Sequence, residues 1–140
     1  MNVFEKLSIL KKLSFFSTTR DDLLIQLAEH MEEIMVDSGD SIIKKGDVDS
    51  CLYILVNGSI LIHNGKKINV ELTAPAIFGE LAALCPEKRT ANVDCITNAH
   101  LMKLEHEPLF ELIELEPILC KGIIKFLCKK LRSHYEELSF

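Results

Sequence analysis

Apolar residues near the start of the chain recur at helical spacing. Val3, Phe4, Leu7, Ile9, Leu10 and Leu13 form one stripe, with Lys6, Lys11 and Lys12 between them. Phe15-Phe16 interrupts it, and Ser17-Thr18-Thr19 supplies hydroxyls of the kind that cap a helix start. Asp21 and Asp22 then suit the positive end of a second helix, whose Leu23, Leu24, Leu27 and Met31 face a core. After Glu32 the period changes. Ile34 and Val36 alternate with polar neighbours, Asp37-Ser38-Gly39-Asp40 is a turn, Ile42-Ile43 is short and apolar, and Lys44-Lys45-Gly46-Asp47 turns again.

Residues 51–56 then read as a buried strand that Asn57-Gly58 ends as a hairpin dipeptide. Ile60 and Ile62 lead to a second hairpin signal at Asn64-Gly65, followed by Ile68, Val70 and Leu72. Residues 91–96 and 99–104 give two more strands around Thr97-Asn98. Glu107-Pro108 opens a helix carrying Leu109, Phe110, Leu112, Ile113 and Leu115. Pro117 opens another, with Ile118, Leu119, Ile123, Ile124, Phe126, Leu127 and Leu131 as its apolar positions. Helices, about eight short strands, then helices again predict an α+β fold: an antiparallel β-roll or jelly roll flanked by helical ends. The expected organisation is one domain over 1–140, with N-terminal helices in 1–31, the roll in 32–106 and C-terminal helices in 107–140.

Composition narrows the function. A chain of 140 residues, 48% hydrophobic and 26% charged, can bury a core without metal or disulfide help. Its net charge of −5 argues against general binding to a nucleic-acid backbone. The five cysteines form no CxxC pair, and the five histidines show no ligand-like spacing with them. Reduced thiols packed as small hydrophobes, no metal and a cytoplasmic location are the expectation. No stretch is apolar enough for a membrane span, so the chain reads as soluble, which leaves open that it is the soluble piece of a longer membrane protein.

The chemistry concentrates between residues 78 and 93. Gly79 can take unusual backbone angles at a strand-to-helix junction, Glu80-Leu81-Ala82-Ala83-Leu84 favours a short helix, and Pro86 stops it. Amide N–H groups near Leu81 and Ala82 then point in front of Gly79, where an anion is stabilised. Arg89, ten positions after Gly79, can fork onto two phosphate oxygens. A carboxylate at Glu80 suits a sugar hydroxyl, and phosphate plus ribose means a nucleotide. Residue types alone leave a second possibility open: a surface Glu80–Arg89 ion pair that staples a loop.

Phe78-Gly79-Glu80-Leu81-Ala82 together with Arg89-Thr90-Ala91-Asn92-Val93 resembles the phosphate-binding cassette of cyclic nucleotide-binding domains. Such domains regulate protein kinases, ion channels and bacterial transcription activators. Gly46 to Gly58, with Leu52-Tyr53-Ile54-Leu55 between, looks like a glycine-anchored hairpin of the same family, and the resemblance covers essentially the whole chain. It implies that Glu80 accepts from the ribose 2′-hydroxyl and that Arg89 pairs with the cyclic phosphate. It also implies that backbone N–H groups of Gly79, Leu81, Ala82 and Thr90 line the ligand beside Phe78 and Ala91, with the Thr90 hydroxyl adding a contact. Val70 and Leu72 would form an apolar wall beside the base. A hydroxyl residue after the arginine keeps cyclic GMP open beside cyclic AMP, the preferred ligand.

Two positions depart from the family's usual pattern. Ser50 stands where an acid or amide is common, with Asp49 one position early, a change expected to act on loop packing more than on ligand contacts. Ala83 stands where a larger apolar residue often follows the first alanine, and Leu84 is expected to compensate. Residues 120–137 are the expected lid, with Ile123, Ile124, Leu127 and Leu131 inward and Arg132 placed to stack on a purine. The same stripe offers a homodimer seam, and the output partner is expected on another chain or a missing domain. No catalytic constellation is visible, and Cys85 is expected to be a buried, inert thiol. The resemblance thus predicts a non-enzymatic sensor that needs no cofactor beyond its ligand. The rival is a ligand-free module of the same fold that docks or dimerises.

Overall fold

The computed structural model describes residues 1–65 and 69–137, with side chains described to residue 133. Ile68, expected to continue the strand pattern, lies outside the described residues, as do the last three positions of the expected C-terminal segment. The described chain divides into two compact units, His30–Phe110 and a helical unit of Met1–Glu29 with Glu111–Phe140.

The helical unit begins with α1 (Val3–Lys11), closed at its start by a reciprocal pair of hydrogen bonds between Asn2 and Glu5. The second helix, α2 (Asp21–Glu29), buries Leu23, Leu24 and Leu27. It starts after Arg20, whose carbonyl accepts the Leu24 N–H, so the hydroxyls of Ser17, Thr18 and Thr19 fall short of the N-cap position expected of them. Met31, expected on the same helix, lies two residues beyond its end but is buried all the same. Helices α4 (His106–Leu115) and α5 (Pro117–Glu137) follow the roll, and Pro117 starts α5 where its missing N–H costs nothing. Gly122 lets α5 approach closely: a Cβ there would lie 3.2 Å from the Phe15 carbonyl oxygen. Phe15 meets Phe126 edge-on at 5.5 Å. Among the described residues no helix is long and apolar enough to cross a membrane.

The β unit contains β1 (Glu32–Val36), β2 (Ser41–Ile43), β3 (Leu52–Asn57), β4 (Ser59–His63), β5 (Asn69–Thr73), β6 (Ala76–Phe78), β7 (Asn92–Cys95) and β8 (Ala99–Leu104), with the short α3 (Glu80–Leu84) after β6. All pairings are antiparallel, in two four-stranded sheets of order β1-β8-β3-β6 and β2-β7-β4-β5. Period-two side chains drive this arrangement. Tyr53, Leu55, Ile60, Phe78, Val93, Cys95 and Leu101 turn inward and share one core.

Two expected hairpins are resolved differently. Asn64-Gly65 does sit between paired strands, with Ile62 opposite Val70. Asn57-Gly58 does not, because β3 and β4 belong to different sheets and the chain crosses between them there. Gly46 to Gly58 is likewise no hairpin, since β2 pairs with β7 and β3 with β6 and β8. Gly58 is required for a different reason: φ is +103°, and a Cβ would sit 2.5 Å from the Asn98 carbonyl oxygen.

Candidate functional site

The cassette grows out of β6. Phe78 ends that strand opposite Tyr53, and the two rings stack at 5.3 Å with planes 10° apart, which fixes where the chain leaves the sheet. Gly79 then adopts φ 74°, ψ 12°, a left-handed conformation that side chains resist, and turns the backbone into α3. A Cβ on Gly79 would lie 2.9 Å from Arg89 Nη1, so the absent side chain also makes room for the guanidinium. Ala82 and Ala83 of α3 are buried while Leu81 is 59% exposed. Ala83 is fully buried and Leu84 half-buried at the end of this short helix.

Arg89 is only 6% exposed, and its backbone and side chain are both held. Its N–H donates to the Asp47 carbonyl at 2.8 Å and its carbonyl accepts the Gly46 N–H at 2.9 Å, which joins the turn after β2 to the end of the cassette. Nε donates to Asp49 Oδ2 at 3.1 Å and Nη1 to the Gly79 carbonyl at 2.9 Å. Nη2 reaches both Asp49 Oδ1 and the Cys51 carbonyl. A guanidinium carries five N–H groups, so these four bonds fix its plane and leave one donor on Nη1. Glu80, 1% exposed, starts α3 on the other side of Gly79. Two such buried charges contradict a pair stapled on the surface.

Burial by itself pushes the Asp49 carboxyl up, yet hydrogen bonds from Arg89 and from the Cys51 N–H outweigh it and hold the pKa below the ordinary 3.8. A carboxylate depressed in the folded state stabilises it above the unfolded pKa, and that contribution is lost as pH falls through the lower folded value. Asp49 is 35% exposed, so solvent screening discounts the effect. Asp49→Asn is therefore expected to lower stability by about 1 kcal/mol at neutral pH. The gap from wild type should shrink once the pH drops below 3.8, which urea melts of both proteins at pH 7 and pH 3 will check.

The profile of the Cyclic nucleotide-binding domain family matches residues 33–116, more than half of the chain and the whole of the cassette. The chain belongs to the cyclic nucleotide-binding domain family. Among curated relatives, the dog Cyclic nucleotide-gated channel beta-3 is 28% identical over 140 residues, covering 93% of this chain and 18% of that protein. The chain thus spans under a fifth of that relative's length. Among solved structures, Thermus thermophilus Catabolite Activator Protein superposes with a TM-score of 0.78 at 21% identity, over 90% of this chain and 62% of that one. The cAMP-bound PfPKA-R (141–441) superposes with a TM-score of 0.71 at 25% identity, over 79% of this chain and 41% of that one.

Within this cyclic nucleotide-binding domain, Phe78, Gly79, Glu80, Leu81 and Ala82 run from the end of β6 into α3, and the Gly79 carbonyl meets Arg89. Thr90 is exposed and Ala91 half-buried on the approach to β7. On β5, Leu72 packs against the roll's core, whereas Val70, on the same side of the strand, is 43% exposed. Arg132 is exposed on α5, in the other unit. The expected inward set on α5 holds only in part. Ile123 is buried, but Ile124 and Leu131 are 58% and 51% exposed, because adjacent residues on a helix point about 100° apart. Cys85 is exposed, not buried, since Pro86 follows it and carries the chain off the end of α3. Cys128 is exposed too, while Cys51 and Cys95 do pack inside.

Sequence reasoning missed two contributors. Asp49 was assigned to loop packing, yet it is the carboxylate that orients Arg89. Its signal was present: a carboxylate directly before a buried strand, in a chain whose cassette arginine needs a counter-charge. His106, the first residue of α4, places Nδ1 2.5 Å from the Ala83 carbonyl and stacks on Phe110 at 4.2 Å. Its ring thereby serves a carbonyl that α3, ending at Leu84, leaves without an intrahelical donor. No local pattern announces that contact.

Proposed function

We propose that this domain is a sensor that binds cyclic AMP, with cyclic GMP accommodated through the Thr90 hydroxyl, and that it performs no reaction of its own. The observation that carries the proposal is Arg89 itself. A guanidinium almost removed from water is costly to keep. Packing alone gives no reason to hold one beneath a left-handed glycine at the start of a helix. A phosphate in front of Gly79 takes the remaining Nη1 donor and the amide N–H groups of the first turn of α3. Glu80 then accepts from the ribose 2′-hydroxyl, and Val70 and Leu72 provide apolar contact for the base. Output runs through α5, with Arg132 stacking on the purine as the helix is drawn toward it. Ligand binding shifts a two-state population only to the extent that it favours the closed state.

One observation favours the rival, ligand-free module. Asp49 and the carbonyls of Gly79 and Cys51 already take most of the guanidinium's donors, so the site is stable as it stands. A thermal-shift series with cyclic AMP, cyclic GMP and cyclic dinucleotides separates the two. A ligand at a hundred times its Kd should add about 2.7 kcal/mol, which raises Tm by roughly 5–10 °C in a domain of this size. No shift with any of them at millimolar concentration would leave the ligand-free module.

A further inference from the structure

Helix α5 divides its circumference into three sectors. Leu119 and Ile123 are buried within the helical unit, and Gly122 packs against Phe15 and Thr18. A second apolar stripe, Ile124, Leu127 and Leu131, lies on another side, with Ile124 and Leu131 more than half exposed. Beside it runs a basic stripe at four-residue spacing, Lys121, Lys125 and Lys129, continued by Arg132, all exposed. Among the described residues, none of the ion pairs involves these four cations.

The charge is segregated along the chain as well as around the helix. Residues 117–135 contain five Lys and Arg and no Asp or Glu, which leaves eleven cationic against twenty-one acidic residues elsewhere, a net of −10. A net-acidic protein with a run at +5 inside one helix, +3 once the closing Glu136 and Glu137 are counted, and with cations bordering exposed aliphatic side chains, suits an anionic partner with an apolar interior. Lysines suit such a boundary, because their long stems lie along apolar surface while the ammonium stays at the polar level. The shape of the partner follows from the packed sector. One side of α5 is occupied by its own unit, so a partner meets the helix from its exposed sides, and a broad surface can reach both stripes at once. A second copy would bring a second set of cations to the rim of the same seam, at the cost of like-charge repulsion.

We propose that the exposed face of α5 docks on an anionic lipid bilayer, with Ile124, Leu127 and Leu131 entering the headgroup boundary and Lys121, Lys125 and Lys129 on the acidic headgroups. The test is co-sedimentation of the full chain with vesicles of phosphatidylcholine alone, or with about a third phosphatidylserine, at low and high salt. Each cation near an acidic surface contributes about fivefold to partitioning, so K121E/K125E/K129E should lower it by roughly a hundredfold or more. I124S/L131S should lower it by about tenfold. All five positions are exposed, so circular dichroism and Tm should match wild type for both variants. Binding that requires phosphatidylserine, weakens with salt and is lost in the charge-reversed variant supports the proposal. Equal binding to neutral vesicles, or none to acidic ones, overturns it. So does sedimentation velocity showing a wild-type dimer that I124S/L131S dissociates, which would assign the stripe to a second copy. Retention of poly-L-glutamate without retention of vesicles would assign it to an acidic protein instead.

Discussion

Arg89→Ala is expected to weaken cyclic nucleotide binding by roughly thirtyfold or more, and to lower the stability of the unliganded domain. The two effects have separate causes. In the proposed complex the guanidinium would face a phosphate, and removing one partner of a desolvated charge pair costs about 2–5 kcal/mol, or roughly thirtyfold to several-thousandfold in affinity. In the free protein the same truncation strands Asp49 and leaves the Gly79 and Cys51 carbonyls without their donor. Losing a fully buried pair costs about 3–5 kcal/mol, and the partial exposure of Asp49 lowers the expectation to roughly 2–3 kcal/mol. Arg89→Lys should recover part of the binding and little of the stability, because a point charge cannot bond the Asp49 carboxylate and both carbonyls at once. Calorimetric titration and urea melts, run on the same preparations, separate the two losses.

Gly58→Ala should be the most damaging glycine substitution in the roll. The residue sits at φ +103°, where an added Cβ meets backbone on two sides, the Asn98 carbonyl oxygen at 2.5 Å and the Ala99 Cα at 3.1 Å. Backbone cannot rotate away as a flexible side chain can, so strain and overpacking together should cost about 3–4 kcal/mol. Gly46→Ala is the internal comparison. Gly46 also has a positive φ, +92°, but nothing lies within 4 Å of its missing Cβ, so conformational strain alone, about 1–2 kcal/mol, is expected. The difference between their urea midpoints, at unchanged slope, isolates the close approach where the chain passes from one sheet to the other.

That crossing marks where local pattern stops predicting architecture. Alternation placed the strands well because a half-buried strand writes its period into the sequence, as residues 92–95 and 99–104 do. Pairing is another matter. Asn57-Gly58 has hairpin chemistry, yet the glycine answers to Asn98, forty residues further on, and adjacency in sequence says nothing about such a contact. The cassette was legible for the opposite reason. Its glycine, glutamate and arginine lie within ten positions, and each residue type has a narrow set of physical uses. Asp49 escaped because the carboxylate that serves Arg89 is forty positions upstream, brought near by the bridge between Val48 and Lys88. The α5 face was misassigned in part because Ile123 and Ile124 are equally apolar, and only tertiary packing decides which is covered.

The buried guanidinium also constrains how the site works if a ligand enters. Its plane is set by Asp49 before any phosphate arrives, which reduces the ordering cost that binding must meet. His106 ties the far end of α3 to the first turn of α4 through one ring.

The most direct test is a calorimetric titration of the wild-type chain with cyclic AMP, beside Arg89→Ala under the same conditions. The account predicts saturable binding of one nucleotide per chain at micromolar affinity or tighter, and binding weakened by roughly thirtyfold or more in the variant. Absence of binding by the wild type at millimolar nucleotide, or equal binding by both proteins, would contradict it.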